Sequence, residues 1–285
     1  MQLHLVGGFL GSGKTTAIMA AARELISRGK TVGIITNDQG KYLVDTGFFK
    51  LADVPTVEVT GGCFCCNYDD LDKRMDDLIE QAHPDAIFAE SVGSCADLVA
   101  TVIKPMLNLR AARLVPSSFS VFVDCRLLRL HLMGELLPFA EDVIYIFEKQ
   151  IEEAGLVVIN KTDLLSDARL REVEDLFRLA YPEKAFLLQS SLASNGTDAW
   201  IKTISSGGAP LPETTLDINY QRYGAGEAQL AWLDEAWTLP IKDGNGHNLI
   251  IETLNRIVSA LKKQRIPIGH LKFLVEAGED RKSVV

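Results

Sequence analysis

Short apolar runs rich in β-branched residues recur along the chain and are typical of buried strands. They predict strands at Leu3–Val6, Thr31–Thr36, Thr56–Val59, Asp85–Ser91, Phe119–Val123, Leu156–Ile159 and Phe186–Leu188. The segments between these strands show helical periodicity, and one helix runs from Thr15 to Gly29, where the glycine supplies a left-handed stop. A second helix follows Asn67, which we predict to be its N-cap. This alternation predicts an α/β fold with a mostly parallel sheet and helices on both faces.

The alternation of strands and helices stops after residue 205, where the composition changes. We predict a first domain over residues 1–205, a linker rich in glycine, proline and serine over 206–217, and a small β-α-β domain over 218–285. The last segment is short for a core of its own, so we expect it to lean on the first domain.

The small second domain is predicted to contain strands and one helix. We expect one or two strands within Ala228–Leu239, a helix whose apolar face includes Leu254, and a final strand at His270–Val275. His270 and Lys272 fall on the polar face of that final strand, where we expect them to be solvated.

The composition excludes several classes of function. The formal net charge of −9 and the pI near 5.1 argue against a broad surface for nucleic acid or anionic membrane. No apolar run approaches the length of a membrane span, and the chain starts with a predicted strand, not with a signal segment. An odd cysteine count of 5 argues against a disulfide framework. We therefore expect a cytoplasmic protein with thiols kept for metal.

The pattern G-x-x-x-x-G-K-[ST] lies between the first predicted strand and the first predicted helix, which is the context of a phosphate-binding loop. Its glycines let successive backbone N–H groups point inward, and the helix N-terminus adds its positive end. Lys14 can reach the β- and γ-phosphates, and the Thr15 hydroxyl can ligate magnesium. The predicted nucleotide-binding residues are Gly8, Gly11, Ser12, Gly13, Lys14, Thr15 and Thr16. The alternative is a glycine-rich turn without chemical function.

A second motif, Asn160-Lys161-Thr162-Asp163, follows a predicted strand and points to guanine. The Asp163 carboxylate can accept hydrogen bonds from the N1–H and N2–H groups of guanine, which adenine lacks. Charge-assisted hydrogen bonds of about 1.5–3 kcal/mol each give a preference of about 10²–10⁴-fold. We predict that Asn160, Lys161 and Asp163 bind guanine nucleotide. The alternative is a loop in which Asp163 accepts hydrogen bonds from backbone N–H groups.

Acidic residues at strand ends are candidates for catalysis. Glu90 ends an apolar strand, where it can hold magnesium through water, and Gly93 can offer its N–H to the γ-phosphate. The alternative is that Glu90 is a surface carboxylate. Asp38 follows another strand at the same sheet edge. Lys14, Glu90, Gly93 and Asp38 are therefore the candidate catalytic residues. No residue that would orient the attacking water is apparent, so we expect slow hydrolysis.

Cys63, Cys65 and Cys66 lie between a strand end and a predicted helix N-terminus. The positive helix end favours the thiolate, which is the form that binds zinc or cobalt. Three sulfurs form three corners of a tetrahedron and leave the fourth for water, a carboxylate or a ligand from a partner. The alternative is that these cysteines are small buried apolar residues. Cys95 and Cys125 stand alone, and we expect them in the core.

The chain resembles the CobW-like P-loop GTPases, relatives of the GTPases that help load nickel into hydrogenase and urease. The resemblance covers roughly residues 1–205 and rests on four motifs. These are Gly8 to Thr16, Gly62-Cys63-Phe64-Cys65-Cys66, Glu90-Ser91-Val92-Gly93 and Asn160-Lys161-Thr162-Asp163. The linker and small domain also look like the second domain of that family, although this one is shorter.

The resemblance implies a GTPase that delivers metal. Its expected cofactors are GTP or GDP, magnesium, and zinc, cobalt or a similar divalent ion at the cysteines. Its expected partners are a guanine nucleotide and a client protein or cofactor that receives the metal, and a homodimer is a further possibility.

One departure and two alternatives qualify this expectation. Asn37 to Lys41 reads N-D-Q-G-K where the family usually reads N-E-F-G-E, so one carboxylate is shortened at Asp38 and another is replaced at Lys41. Metal and client can therefore differ from those of relatives. One alternative is a GTPase that loads or reactivates a corrinoid (cobalamin) protein. The other is a P-loop kinase for a small molecule, against which the motif ending at Asp163 argues.

We expect the Asp163→Asn variant to bind GTP more weakly and xanthosine triphosphate more tightly than the unaltered protein. The xanthine ring carries a carbonyl where guanine has its amine, and the Asn amide can donate to that carbonyl. Competition binding of GTP, ATP and xanthosine triphosphate measures this change in nucleotide preference. Equal affinity of the unaltered protein for ATP and GTP would contradict the assignment.

We expect the Lys14→Ala variant to lose most of its affinity for triphosphate while it keeps its fold. The variant lacks the ammonium that would bind the β- and γ-phosphates, at about 1.5–3 kcal/mol per charge-assisted hydrogen bond. Titration with GTP, with circular dichroism as the check on folding, tests this. A folded variant with near-normal GTP binding would refute the phosphate-loop assignment.

Overall fold

The structure, a computed structural model, describes residues 1–37, 44–50, 52–110, 116–230, 233–238, 246–266, 268–277 and 280–284. A sheet of seven parallel strands forms its centre. The strands are β1 (Gln2–Gly8), β2 (Val32–Asn37), β3 (Thr56–Val59), β4 (Ala86–Glu90), β5 (Pro116–Asp124), β6 (Leu156–Asn160) and β7 (Ala185–Leu188). Their order across the sheet is β3-β2-β4-β1-β5-β6-β7. The predicted α/β fold is confirmed.

Helices cover both faces of the sheet. They are α1 (Lys14–Ser27), α2 (Val44–Lys50), α3 (Tyr68–Ala82), α4 (Lys104–Arg110), α5 (Cys125–Leu132), α6 (Glu141–Glu153), α7 (Asp167–Ala180), α8 (Thr197–Ser205), α9 (Tyr220–Ala228) and α10 (Gly246–Lys263). One buried cluster joins the sheet to α3, α5, α6 and α7, and a second joins it to α1, α2 and α8. Among the described residues, no helix has both the length and the apolar character needed to cross a bilayer.

The strand register brings the carboxyl ends of the central strands to one edge. β1 lies between β4 and β5, with Val6 opposite Glu90 and Gly8 opposite Phe122. On the other side of β5, Asp124 pairs with Asn160 at the end of β6. Because all of these strands are parallel, the loops that follow them meet at this edge, where ligands bind in such sheets.

The segment after residue 205 differs from the sequence prediction in part. The strands predicted within Ala228–Leu239 are wrong for the described residues there: Ala228 ends helix α9, and 229–230 and 233–238 form no strand. The Asn219 side chain starts α9 by accepting hydrogen bonds from two backbone N–H groups, each at 3.1 Å. This helix packs on α6, where the Asn219 N–H donates to the Tyr145 hydroxyl at 2.8 Å.

The predicted helix around Leu254 is confirmed as α10. The last predicted strand starts later than expected, as β8 (Phe273–Ala277), which pairs antiparallel with β9 (Asp280–Val284). The division of the chain into two domains with a linker at 206–217 stays a prediction.

One buried histidine in β1 makes folding sensitive to acid. The His4 side chain is 2% exposed, its Nδ1 lies 2.8 Å from Ser118 Oγ, and its ring packs against Phe88. Burial lowers the pKa of His4 from 6.5 to about 4, because the charged imidazolium loses its hydration there. The folded protein therefore holds His4 neutral in weakly acidic solution, whereas the unfolded chain takes up the proton.

We expect the His4→Asn variant to lose less stability on acidification than the unaltered protein. The stability from a neutral His4 is complete above pH 6.5 and falls as the pH drops to about 4, by up to about 3 kcal/mol. Asn keeps a hydrogen-bonding partner for Ser118 without a titrating ring. Urea unfolding at about pH 7.5 and about pH 5 gives the free energy of unfolding of each protein. The difference in this free energy between the variant and the unaltered protein should be smaller at the lower pH. The exposed His247→Asn is the control, and a difference independent of pH would contradict the assignment.

Candidate functional site

The phosphate-binding loop predicted from the sequence connects β1 to α1 at the carboxyl edge of the sheet. Gly13 has a φ of +94°, and a Cβ atom at this position would collide with the Asn160 side-chain amide. Only glycine therefore combines the left-handed backbone with this close approach. The strand, loop and helix stand in the order that a triphosphate site requires.

Lys14, the first residue of α1, points back across this loop. Its Nζ donates hydrogen bonds to the carbonyl of Gly8 at 2.8 Å and to that of Phe9 at 3.4 Å. Burial lowers the pKa of Lys14, and the nearby Glu90 carboxylate opposes this effect. A buried ammonium that is bonded to two carbonyls can exchange them for phosphate oxygens, which carry more negative charge.

The Thr15 hydroxyl and Glu90 form the centre of a candidate cation site. Thr15 Oγ1 lies 2.8 Å from Glu90 Oε1. The other carboxylate oxygen of Glu90 is buried and has no hydrogen-bond partner within the described part of the chain. Burial, followed by the charge of Asp45, raises the pKa of Glu90 to about 7. A hydroxyl beside an unsatisfied carboxylate oxygen offers the hard oxygen donors that magnesium prefers, so the residues present fit this ion.

Asp45 on α2 belongs to the same group, although the sequence analysis did not single it out. Its Oδ1 lies 3.2 Å from Thr15 Oγ1. Burial raises the pKa of Asp45, but the charge and hydrogen bond of Lys272 outweigh burial and keep the pKa below its ordinary value. The available signal was its position after β2, near the edge of the sheet where ligands bind in such folds.

Lys272, which precedes β8, also reaches this group. Its Nζ donates to Thr15 Oγ1 at 2.9 Å and forms an ion pair with Asp45 Oδ1. The expectation of a solvated polar face is wrong for Lys272, whose side chain is 15% exposed, whereas His270 is exposed as expected. Packing of the segment against the phosphate-binding loop turns Lys272 inward.

The other two candidate catalytic residues have different outcomes. Gly93 lies against the phosphate-binding loop, so closely that a Cβ atom at this position would come within 2.9 Å of the Leu10 Cα. Its carbonyl accepts a hydrogen bond from Gln150 of α6 at 3.0 Å, which holds the loop after β4 in place. Asp38 lies outside the described residues.

Asn160 links the phosphate-binding loop to the loop after β7. Its amide Nδ2 donates to the Ser12 carbonyl at 2.8 Å. Its Oδ1 accepts from the backbone N–H of Ser191 at 3.0 Å and from the Ser191 hydroxyl at 2.8 Å. One amide therefore fixes the phosphate-binding loop relative to the loop after β7. Ser191 follows the last strand of the sheet and lies in no motif that would have identified it from the sequence.

Asp163 stands where a base-reading carboxylate is expected. It is exposed, and its Oδ1 accepts a hydrogen bond from the Ser190 hydroxyl at 2.5 Å. Lys161 has a φ of +63° and extends its side chain so that Nζ lies 3.1 Å from Asp124 Oδ2. Ser190 and Asp124 were also missed, since each follows or ends a strand that carries no motif of its own.

The three clustered cysteines come together on the loop between β3 and α3. Their sulfur atoms all lie within 4.8 Å of one another, and 3.4 Å separates Cys63 Sγ from Cys66 Sγ. Contrary to the expectation of free thiols, Cys63 and Cys65 form a disulfide. Metal binding by all three sulfurs therefore requires the reduced form, because the thiolate is the ligand. Cys95 and Cys125 are buried, as the sequence predicts.

Asn37, the last residue of β2, holds this cysteine loop. Its Oδ1 accepts from the Phe64 N–H at 2.9 Å, and its Nδ2 donates to the carbonyls of Gly62 at 2.8 Å and Val59 at 3.2 Å. The predicted N-cap position of Asn67 is confirmed, but its side chain donates to the Thr60 carbonyl at 3.1 Å and does not cap α3. Both amides shape the loop that presents the sulfurs.

A comparison with protein-family models identifies one family. Residues 2–187 match the model of the CobW/HypB/UreG nucleotide-binding domain. The zinc chaperone CobW of Sinorhizobium sp is 31% identical over 193 residues, which are 60% of this chain and 53% of the relative. The zinc chaperone YeiR of Escherichia coli strain K12 is 29% identical over 169 residues, 57% of this chain and 47% of the relative. The chain thus spans about half the length of these two relatives.

Among solved structures, the hydrogenase maturation factor HypB from Archaeoglobus fulgidus is similar, with a TM-score of 0.48 and 18% identity. That similarity covers 72% of this chain and 89% of the other. The family match includes the phosphate-binding loop, the cysteine loop and Asp163. The chain therefore belongs to the CobW/HypB/UreG family through its nucleotide-binding domain.

Proposed function

We propose that this protein binds and slowly hydrolyses GTP and uses that cycle to carry a divalent transition metal, zinc or cobalt, to a client protein or cofactor. The observation that carries the proposal is the group of Cys63, Cys65 and Cys66, whose sulfurs lie within 4.8 Å of one another beside the nucleotide edge of the sheet. Similarity to two proteins named zinc chaperones favours zinc.

The nucleotide part of the function would be carried by residues around the phosphate-binding loop. Lys14 would move its hydrogen bonds from the Gly8 and Phe9 carbonyls to phosphate oxygens. Thr15, Asp45 and Glu90 would hold magnesium, which neutralises charge on the β- and γ-phosphates. Phosphate transfer to water depends mainly on this placement of positive charge.

The base would be read by Asp163. Its Ser190 partner orients the carboxylate, and the exposed position leaves room for the guanine N1–H and N2–H groups. Lys161, held by Asp124, would lay its aliphatic stem along the base. These contacts support guanine over adenine, since adenine offers no donor pair to the carboxylate.

The metal would be cargo on the cysteine loop. In the reduced form, three thiolates supply three of the four ligands of a tetrahedral site, which leaves one position for water or for a ligand of the client. An open position suits a metal that is passed on, because a client ligand can bind before the sulfurs leave. Cys66 is the exposed sulfur and would be the first to exchange.

Asn37 provides a route between the two sites. Its side chain binds the cysteine loop at Phe64 and Gly62. Thr36, the residue before Asn37, has its Oγ1 2.7 Å from the Oγ1 of Thr46 on α2, and the neighbouring Asp45 reaches the Thr15 hydroxyl. A change at the γ-phosphate that moves α2 would therefore act on the residue that holds the cysteine loop. Linkage requires that metal change GTP affinity by the same factor as GTP changes metal affinity.

We expect metal affinity to depend on the bound nucleotide. Zinc and cobalt affinity of the fully reduced protein is measured with a non-hydrolysable GTP analogue, with GDP and without nucleotide. A difference of about 5–150-fold between the GTP-like and GDP forms is expected. Cys66→Ala should weaken metal binding in every form, whereas Cys95→Ala, which removes a buried thiol outside the group, should not.

Two results would contradict the proposal. Equal metal affinity in all nucleotide states would mean that metal binding at the thiols is not coupled to the bound nucleotide. This result would favour a GTPase that loads or reactivates a corrinoid protein over one that delivers metal. If no phosphate is released from GTP unless an acceptor is added, GTP hydrolysis would be contradicted and the alternative of a small-molecule kinase would be favoured.

A further inference from the structure

A positively charged side chain of this same chain stands at the cation site. Lys272 Nζ donates to Thr15 Oγ1 at 2.9 Å and pairs with Asp45 Oδ1. The side chains of Lys272 and Asp45 are only 15% and 23% exposed. A long, flexible lysine loses conformational entropy when it is held in this way, so the site must provide a strong attraction. The attraction comes from two carboxylates, Asp45 and Glu90, at one hydroxyl.

The backbone around Lys272 packs on the same site at two further points. The Gly269 carbonyl lies against Gly11 of the phosphate-binding loop, so closely that a Cβ atom at Gly11 would come within 2.5 Å of the carbonyl oxygen. Leu274 of β8 contacts α2, where a Cβ atom at Gly47 would come within 2.9 Å of its Cδ2. The segment 268–277 therefore lies against both the loop that binds phosphate and the helix that carries Asp45.

We propose that Lys272 is an internal substitute for magnesium, which closes the nucleotide site and must leave when magnesium and GTP bind together. The inference rests on the proposed function, in which Thr15 ligates magnesium. It adds a regulatory contact: the segment 268–277 competes with the metal-bound nucleotide for one set of oxygen atoms.

Competition follows from the chemistry of the Thr15 hydroxyl. The hydroxyl has one hydrogen, which points to a carboxylate, and it accepts a hydrogen bond from Lys272. Magnesium binds oxygen at about 2.0–2.1 Å and demands near-octahedral geometry with several further ligands around it. An ammonium on the same oxygen repels the divalent ion and occupies part of that ligand shell. Asp45 likewise pairs with one cation or the other.

The exchange has a direction. Without nucleotide, the single charge of Lys272 offsets part of the negative charge of Asp45 and Glu90. A magnesium ion would place two positive charges beside Asp45 and Glu90 where Lys272 places one, and the triphosphate would supply further oxygen ligands to that ion, so the ammonium would be displaced. Release of Lys272 frees the contacts of Gly269 and Leu274, so the segment 268–277 signals that the site is loaded.

The experiment compares Lys272→Met and Lys272→Arg in the full chain. The probe is a fluorescent, non-hydrolysable GTP analogue, titrated with magnesium and with excess EDTA. We expect Lys272→Met to tighten binding about 5–150-fold with magnesium and to have little effect in EDTA. Lys272→Arg keeps the charge and should keep the affinity of the unaltered protein. Lys262→Met, which removes an exposed lysine at the end of α10, is the control and should change neither value.

Hydrogen exchange provides a second measurement that does not depend on activity. In the unaltered protein, the backbone amides of residues 268–277 should exchange faster when the analogue and magnesium are added together than when either is added alone. In Lys272→Met, the difference between the free and loaded forms should shrink, since the contact is already broken.

The outcomes separate this inference from the function on which it rests. If the unaltered protein fails to bind the GTP analogue, both the proposed function and the role of Lys272 are refuted. If it binds normally but Lys272→Met binds equally well or more weakly with magnesium, the substitute role of Lys272 is refuted and the proposed function stands. A gain of the same size with magnesium and in EDTA would also refute the inference, because the competition would not involve the ion.

Discussion

The Thr15 hydroxyl is the point on which the site depends. It lies at the start of α1, and it is within hydrogen-bonding distance of Glu90 from the end of β4, Asp45 from α2 and Lys272 from the segment before β8. Burial and the repulsion between these two carboxylates raise the pKa of Glu90, and a cation beside them relieves that repulsion. The contacts at this hydroxyl join four parts of the chain that are distant in sequence.

Two asparagine amides at strand ends organise the loops around this point. Asn160 bonds to the phosphate-binding loop at Ser12 and to the loop after β7 at Ser191. Asn37 bonds to the cysteine loop at Gly62 and at Phe64. A side-chain amide has donors and an acceptor, so one residue can satisfy backbone groups of two neighbouring segments. The nucleotide and thiol sites are therefore held by the same sheet edge.

The site could be predicted from sequence wherever a motif is contiguous. The phosphate-binding loop, the cysteine cluster and the motif ending at Asp163 each place their groups within a few residues, next to a strand end. Asp45 and Lys272 have no such local pattern, and their importance appears only where folding brings them to Thr15. The same reason explains Ser190 and Ser191, which reach Asp163 and Asn160 because β7 lies beside β6.

The amino-acid sequence was enough to predict the strands, most helices and the phosphate-binding loop, because these follow from short-range periodicity, glycine conformation and capping. It did not determine the helix at Tyr220–Ala228, which packs on α6, or the disulfide between Cys63 and Cys65. Nor did it determine the inward direction of Lys272, since a lysine before a strand is solvated unless distant carboxylates face it. Which charges meet depends on the folded chain, because electrostatic interactions depend on distance in space and not on separation along the sequence.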